Sequence, residues 1–200
     1  MAQTEQKNQN VKKQFEELQS LLERAMALQT SMVLFEWDDE TLAPKGAAEH
    51  TARVIGSLSE QYQEILASMR FKELLDVCQK AEKENAGVFD EVQSAILREA
   101  AEEQERLSCI PPEEYRAYAE LTARATGIWT RAREKNDFAS FAPVLKEIIS
   151  YQKKFAAYRA KPGQKLYDVM LDTYEKGFNM EMLDPFFELM KGKIGPLLKE

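Results

Sequence analysis

Two hundred residues, 44% hydrophobic and 30% charged, are enough for a real apolar core and too apolar to stay disordered. Twenty-seven basic against 34 acidic residues leave a formal charge of −7, which argues against a general binder of nucleic acid or anionic membranes. Only 8 glycines and 7 prolines punctuate the chain, too few for the many turns of an all-β protein.

The opening residues, MAQTEQKNQN, lack the apolar run of a secretory signal. No stretch approaches the roughly 18 apolar residues of a membrane span. The two cysteines, Cys78 and Cys109, fit no metal or redox spacing and read as buried free thiols, which suits a reducing compartment. A soluble cytoplasmic protein is expected.

Apolar residues recur at three and four positions almost throughout. Val11, Phe15, Leu18, Leu22, Ala25 and Met26 open a first helix, and Met32 and Val33 continue its face. Pro44 and Gly46 end it, the proline also pushing Ala43 out of helical geometry. A second helix from about Ala47 is predicted to turn Val54, Leu58, Tyr62, Ile65 and Met69 to one side. FKELLDVCQKAEKE forms a short third helix, stopped near Asn85 and Gly87 by their tolerance of left-handed backbone. Phe89, Val92, Ile96, Ala100 and Leu107 mark a fourth.

CIPPEEY is the strongest boundary in mid-chain. Pro112 suits the first turn of a fifth helix, with Glu113 and Glu114 at its positive end. That helix runs through Trp129 to about Lys135. Its face of Arg124, Ile128, Arg131 and Lys135 reads as solvated, given Glu134 and the acidity of the whole. Asn136 and Asp137 interrupt it. A sixth helix, from about Phe141 to Tyr158, is expected to bury Leu145, Ile148, Ile149 and Phe155, with Pro143 in its first turn. AKPGQ is a loop, and LYDVMLDTYEKG a short helix closed by Gly177. Asp184 and Pro185 read as the cap and first residue of a last helix, weakened by Gly192, Gly195 and Pro196. With no strand run or internal repeat, the prediction is an all-α bundle of about seven to eight helices. Long antiparallel helices lead it, and residues 1–200 form one helical region.

The chemistry is thin by comparison. The single histidine, His50, excludes both the paired Glu-x-x-His motifs of a ferritin-like site and the H-E-x-x-H of a zincin. There is no nucleophile elbow and no Gly-rich phosphate loop. One stretch stands out: LFEWDDETLAP sets Glu36, Asp38, Asp39 and Glu40 at the end of a helix, where the carbonyls are already negative. Trp37 is expected to be a core aromatic there, with Asp38 and its neighbours paired to Arg53, Arg98 or Arg124.

Three blocks carry a resemblance. Trp37, Asp38, Thr41 and Pro44 form the first. Trp129, Asn136, Asp137, Phe138, Phe141 and Pro143 follow in order in the second. Tyr167, Asp168, Leu171, Asp172, Tyr174, Glu175 and Gly177 make the third. Together they resemble the N-terminal part of the thermostable carboxypeptidase Taq-like metallocarboxypeptidases.

The resemblance implies a nearly all-helical cytoplasmic enzyme, commonly a homodimer, that removes residues one at a time from peptide C-termini. Its zinc, replaceable by cobalt, is held by an H-E-x-x-H helix and a downstream glutamate. There the metal polarises the scissile carbonyl and the motif glutamate takes a proton from water. Those residues lie beyond the matched blocks, so no catalytic or metal-binding residue and no cofactor is expected in this chain. Its motif residues are expected to be structural or to line a peptide groove, and an apolar surface is expected where the rest of the enzyme packs. Gln63 stands near a position where relatives often have histidine. The alternative is a stand-alone interaction or dimerisation module.

Overall fold

A computed structural model describes residues 2–44 and 46–198. Among them are eight α-helices and no strand. The first, α1 (Ala2–Thr41), starts well before Val11, in a run of glutamines, glutamate and lysine that favour helix without apolar periodicity. Val11, Phe15, Leu18 and Ala25 form its buried stripe. It ends where Leu42 and Ala43 both donate backbone N–H bonds to the Asp38 carbonyl (2.9 and 2.8 Å).

α2 (Ala48–Leu66) is flanked by α1 and by α5 (Pro112–Glu134). Its buried stripe is Ala52, Ile55, Gly56, Ser59, Gln63 and Leu66. That differs from the predicted face: Val54, Leu58, Tyr62 and Ile65 are only half-buried, and Met69 is exposed. The reason is close approach between helices. A Cβ on Gly56 would collide with the Glu120 side chain of α5, so the small residues face the contact and the large ones fill its flanks.

α3 (Met69–Glu84) begins at Ser68, whose hydroxyl accepts from the Phe71 N–H at 3.1 Å. It buries Phe71, Leu74, Leu75, Cys78 and Ala81. Its end is not left-handed as expected: Asn85 is extended (φ −148°) and its Oδ1 accepts from the Gly87 N–H at 3.2 Å. α4 (Glu91–Ser108) opens with a reciprocal cap between Asp90 and Gln93 (2.8 and 3.1 Å). Leu97, Ala100 and Leu107 are buried, while Val92 is exposed. Phe89, just before the helix, meets the Phe15 ring at 5.0 Å between centroids. α1, α2, α3 and α4 together enclose one apolar core around Phe15, Leu18, Phe71 and Leu97.

α6 (Phe138–Arg159) starts earlier than Phe141 because Asp137, read as a mere interruption, is its cap: Oδ1 accepts from the Ser140 N–H at 3.2 Å. Pro143 therefore lies past the first turn. Phe155 and Ala156 are buried, Leu145 and Ile148 half-buried, and Ile149 exposed. The chain divides into two compact units, Met1–Ile148 and Ile149–Glu200, with the division falling in the sequence of α6.

The second unit holds α7 (Leu166–Tyr174) and α8 (Met180–Leu197). α8 begins at Met180, not at Pro185. Asn179 accepts from the Met182 N–H (3.0 Å), and the Asp168 carboxylate accepts from the Met180 N–H (2.9 Å). Asp184 and Pro185 are carried inside the helix, which runs through Gly192, Gly195 and Pro196. None of its described residues is buried.

Two consequences can be measured. Gln63 is completely buried, and its Nε2 donates to the carbonyls of Leu107 (3.2 Å) and Ile110 (2.6 Å), tying α2 to the end of α4. Gln63→Leu takes the donor from the Ile110 carbonyl, whereas the Leu107 carbonyl keeps the Ile110 N–H (3.1 Å). The variant also removes the buried Gln63 Oε1, which has no partner among the described residues, so the net loss of stability is about 1 kcal/mol in thermal or urea denaturation. Arg70 of α3 forks onto Glu17 of α1 (2.8 and 2.6 Å), and that hydrogen bonding holds the Glu17 carboxyl below its usual 4.5. A depressed folded-state pKa gives stability that is present above the unfolded value and lost as pH falls through the folded one. Arg70→Ala therefore flattens the acid side of the stability–pH curve below about pH 5 and leaves its shape at neutral pH unchanged.

Candidate functional site

α5 runs antiparallel to α2: Arg116 meets Glu60 at 2.9 Å, and Glu120 lies against Gly56 four residues back. Extending that register carries the last turns of α5 past the first turn of α2, to the end of the bundle where the α1–α2 connection lies. Two of the three motif blocks thereby gather at one end of the first unit. Trp37, Asp38, Thr41 and Pro44 come from α1 and its exit; Trp129, Asp137, Phe138, Phe141 and Pro143 come from the end of α5 and the start of α6.

The residues at this end divide by what they touch. The Thr41 hydroxyl donates to the Trp37 carbonyl at 2.6 Å and closes the last turn of α1. Asp137 caps α6 through the Ser140 N–H. Phe141 is half-buried, and Pro44 and Pro143 are exposed. The aromatics point outward: Trp37 is 56% exposed, Trp129 44% and Phe138 67%. The Arg133 guanidinium lies 5.2 Å from the centre of the Trp129 ring. Trp37 is thus not the core aromatic it was expected to be.

Nor do the predicted arginines reach the acids. Arg98 approaches Glu99 (4.0 Å) and Arg124 approaches Glu120 (3.8 Å), both on their own helices. Among the described residues no ion pair involves Glu36, Asp38, Asp39 or Glu40. Desolvation, and then the charge of Glu40 one turn on, raise the Glu36 carboxyl above the usual glutamate value.

The third block lies in the second unit. Asp168 serves the start of α8. Gly177, at φ 82°, needs the left-handed freedom of glycine, and its N–H donates to Asp172 at 2.8 Å. Tyr167 and Tyr174 are exposed.

One polar cluster escaped the sequence reading. The Tyr62 hydroxyl donates to Glu103 Oε1 (3.1 Å), and Arg106 holds the same carboxylate from its other side (Nε at 2.8 Å). Burial, and then the Glu103 charge, push the Tyr62 phenol far above its ordinary range. The Glu103–Arg106 spacing was a local signal; the reach of Tyr62 across from α2 was not.

Among the described residues no three His, Cys, Asp or Glu side chains converge, and His50 is exposed in the first turn of α2. Cys78 is buried and its thiol is pushed up to about 11 by that burial, so it is protonated at neutral pH. No described helix is long and apolar enough to cross a membrane.

Comparison with known proteins places this all-α chain among the metallopeptidases. Residues 17–200 match the carboxypeptidase Taq (M32) metallopeptidase family, and the chain belongs to it. It is 34% identical over 180 residues to carboxypeptidase 1 of Bacillus subtilis, covering 90% of this chain and 35% of that protein. It is 31% identical over 175 residues to thermostable carboxypeptidase 1 of Pyrococcus furiosus, covering 88% and 34%. Its fold superposes on the BsuCP crystal structure with a TM-score of 0.87 at 33% identity, over 94% of this chain and 37% of that one. For Trypanosoma cruzi metallocarboxypeptidase 1 the TM-score is 0.74 at 26% identity, with the same shares of 94% and 37%. The chain thus spans about a third of the length of its relatives.

The two roles of the motif residues separate in a denaturation experiment. Trp37→Ala changes stability by less than about 0.5 kcal/mol, as an exposed position does. Asp137→Ala costs about 1 kcal/mol through loss of the α6 cap.

Proposed function

We propose that this chain is the N-terminal helical portion of a metal-dependent carboxypeptidase that removes residues one at a time from peptide C-termini. Zinc, or cobalt in its place, is held by residues of the polypeptide outside this segment. The reading is supported by one combination: the family match runs over residues 17–200, while the chain spans only 35% of its Bacillus subtilis relative.

The chain's own part is then architectural. Its helices form a wall beside the peptide groove, helping to keep out water and long substrates. The partner is peptide, not nucleic acid or membrane, and the complete protein pairs with a second copy. The free thiols of Cys78 and Cys109 suit the cytoplasm.

The test is direct. The purified 200-residue chain carries no stoichiometric zinc by elemental analysis and does not shorten peptides. The same polypeptide continued through a downstream H-E-x-x-H does both, and a chelator abolishes the hydrolysis. Chelator-sensitive hydrolysis by the 200-residue chain would overturn the proposal. A reading frame that stops after Glu200 would favour the stand-alone interaction or dimerisation module instead.

A further inference from the structure

Along the second half of α1, Met26, Val33 and Trp37 recur at seven and four residues and so share one face, which Leu34 widens. All four are more than half exposed, at 63, 55, 56 and 61%. Glu36 and Glu40 border this stripe on one side and Asp38 on the other. The helix ends with no basic residue in its last turn, and these acids have no ion pair among the described residues. Glu36 and Glu40 also stand one turn apart, where like charges repel.

Two separate penalties therefore sit on one surface. Large apolar side chains face water, and carboxylates crowd the negative end of a helix with no ion pair among the described residues to offset them. A single object removes both: an apolar segment whose flanks carry lysine or arginine. We propose that this face of α1 is a docking surface for such a segment, and that the segment belongs to the two thirds of the enzyme outside this chain. The inference rests on the proposed function and goes beyond it, because it names the surface, the chemistry of its occupant and the structural use of the acids. The length of the relatives supplies the occupant: about two thirds of each lies outside the matched region.

Hydroxyl-radical and carboxyl footprinting, read by mass spectrometry, compares the 200-residue chain with the complete enzyme. Met26 and Trp37 oxidation, and labelling of Glu36, Asp38 and Glu40, are expected to be several-fold lower in the complete enzyme. The combined variant Glu36→Gln, Asp38→Asn, Glu40→Gln is expected to raise the Tm of the 200-residue chain by about 2–4 °C and to lower that of the complete enzyme.

Equal labelling in both proteins overturns the docking surface. So does a lower Tm for the variant in the short chain, which would make the acids partners within this fold. Protection that appears in the short chain as its concentration rises would place a second copy there, and overturns it too. The two readings fail differently. A complete protein without peptidase activity refutes the proposed function, whereas an active enzyme that leaves Trp37 fully labelled refutes only the docking surface.

Discussion

The fully buried Gln63 carboxamide reaches from the middle helix of the first unit to the carbonyls of Leu107 and Ile110. That geometry sets where α2 can lie along its length. One residue earlier, Tyr62 takes hold of Glu103, so two consecutive side chains of α2 fix the last turns of α4. Toward the other end of α2, Gly56 admits the Glu120 side chain and Arg116 pairs with Glu60. Apolar burial at Phe15, Phe71 and Leu97 supplies most of the driving force, but it tolerates sliding; these polar contacts do not. The net gain of each hydrogen bond is small and the loss on leaving a buried carbonyl unmet is large. The register of α2 is therefore specified by polar contacts: the buried Gln63 against α4 and the part-exposed Glu60–Arg116 pair against α5.

That distinction explains what could be read from the residues alone. Some boundaries governed by neighbouring residues were legible: Pro112 starts α5, and Gly177 supplies the turn after α7. Boundaries governed by distant ones were not. Asp184–Pro185 has the form of a helix start, but Asn179 and the Asp168 carboxylate, offered from α7, open α8 earlier. Asp137 looked like a break because a cap and an interruption use the same residue type. The buried face of α2 was misassigned for a related reason. Periodicity weighs large apolar side chains, whereas a helix squeezed between two others turns its small residues to the contact. Motif order named the residues of the three blocks but did not separate the two at this end of the bundle from the third; that required the antiparallel register of α2 and α5.

The motif residues at that end are of two kinds that a sequence block does not separate. Thr41 and Asp137 finish or begin helices through hydrogen bonds to the backbone. Trp37, Trp129 and Phe138 make no such backbone bonds; Trp37 and Phe138 stand largely in water, while Trp129, 44% exposed, lies under the Arg133 guanidinium. Each such ring leaves favourable burial unrealised, on the order of 1.5–3 kcal/mol for a large side chain fully covered. α8 extends the same condition over a whole helix, with Phe186, Phe187, Leu189 and Met190 all exposed.

Isolated exposed hydrophobics need no explanation, since over half of any protein surface is apolar. Contiguous ones do. On α1 the exposed stripe coincides with carboxylates placed where the helix itself disfavours them. A surface optimised only for solubility would carry cations there, as α5 does with Arg131 and Arg133 in its last turn. The two helices end at the same end of the bundle with opposite charge preferences, so overall acidity cannot account for the acids on α1. A local partner can, because it would turn both the apolar stripe and its charged borders from penalties into contacts. In that sense the exposed face of α1 specifies the chemistry of what would cover it: an apolar surface bordered by cations.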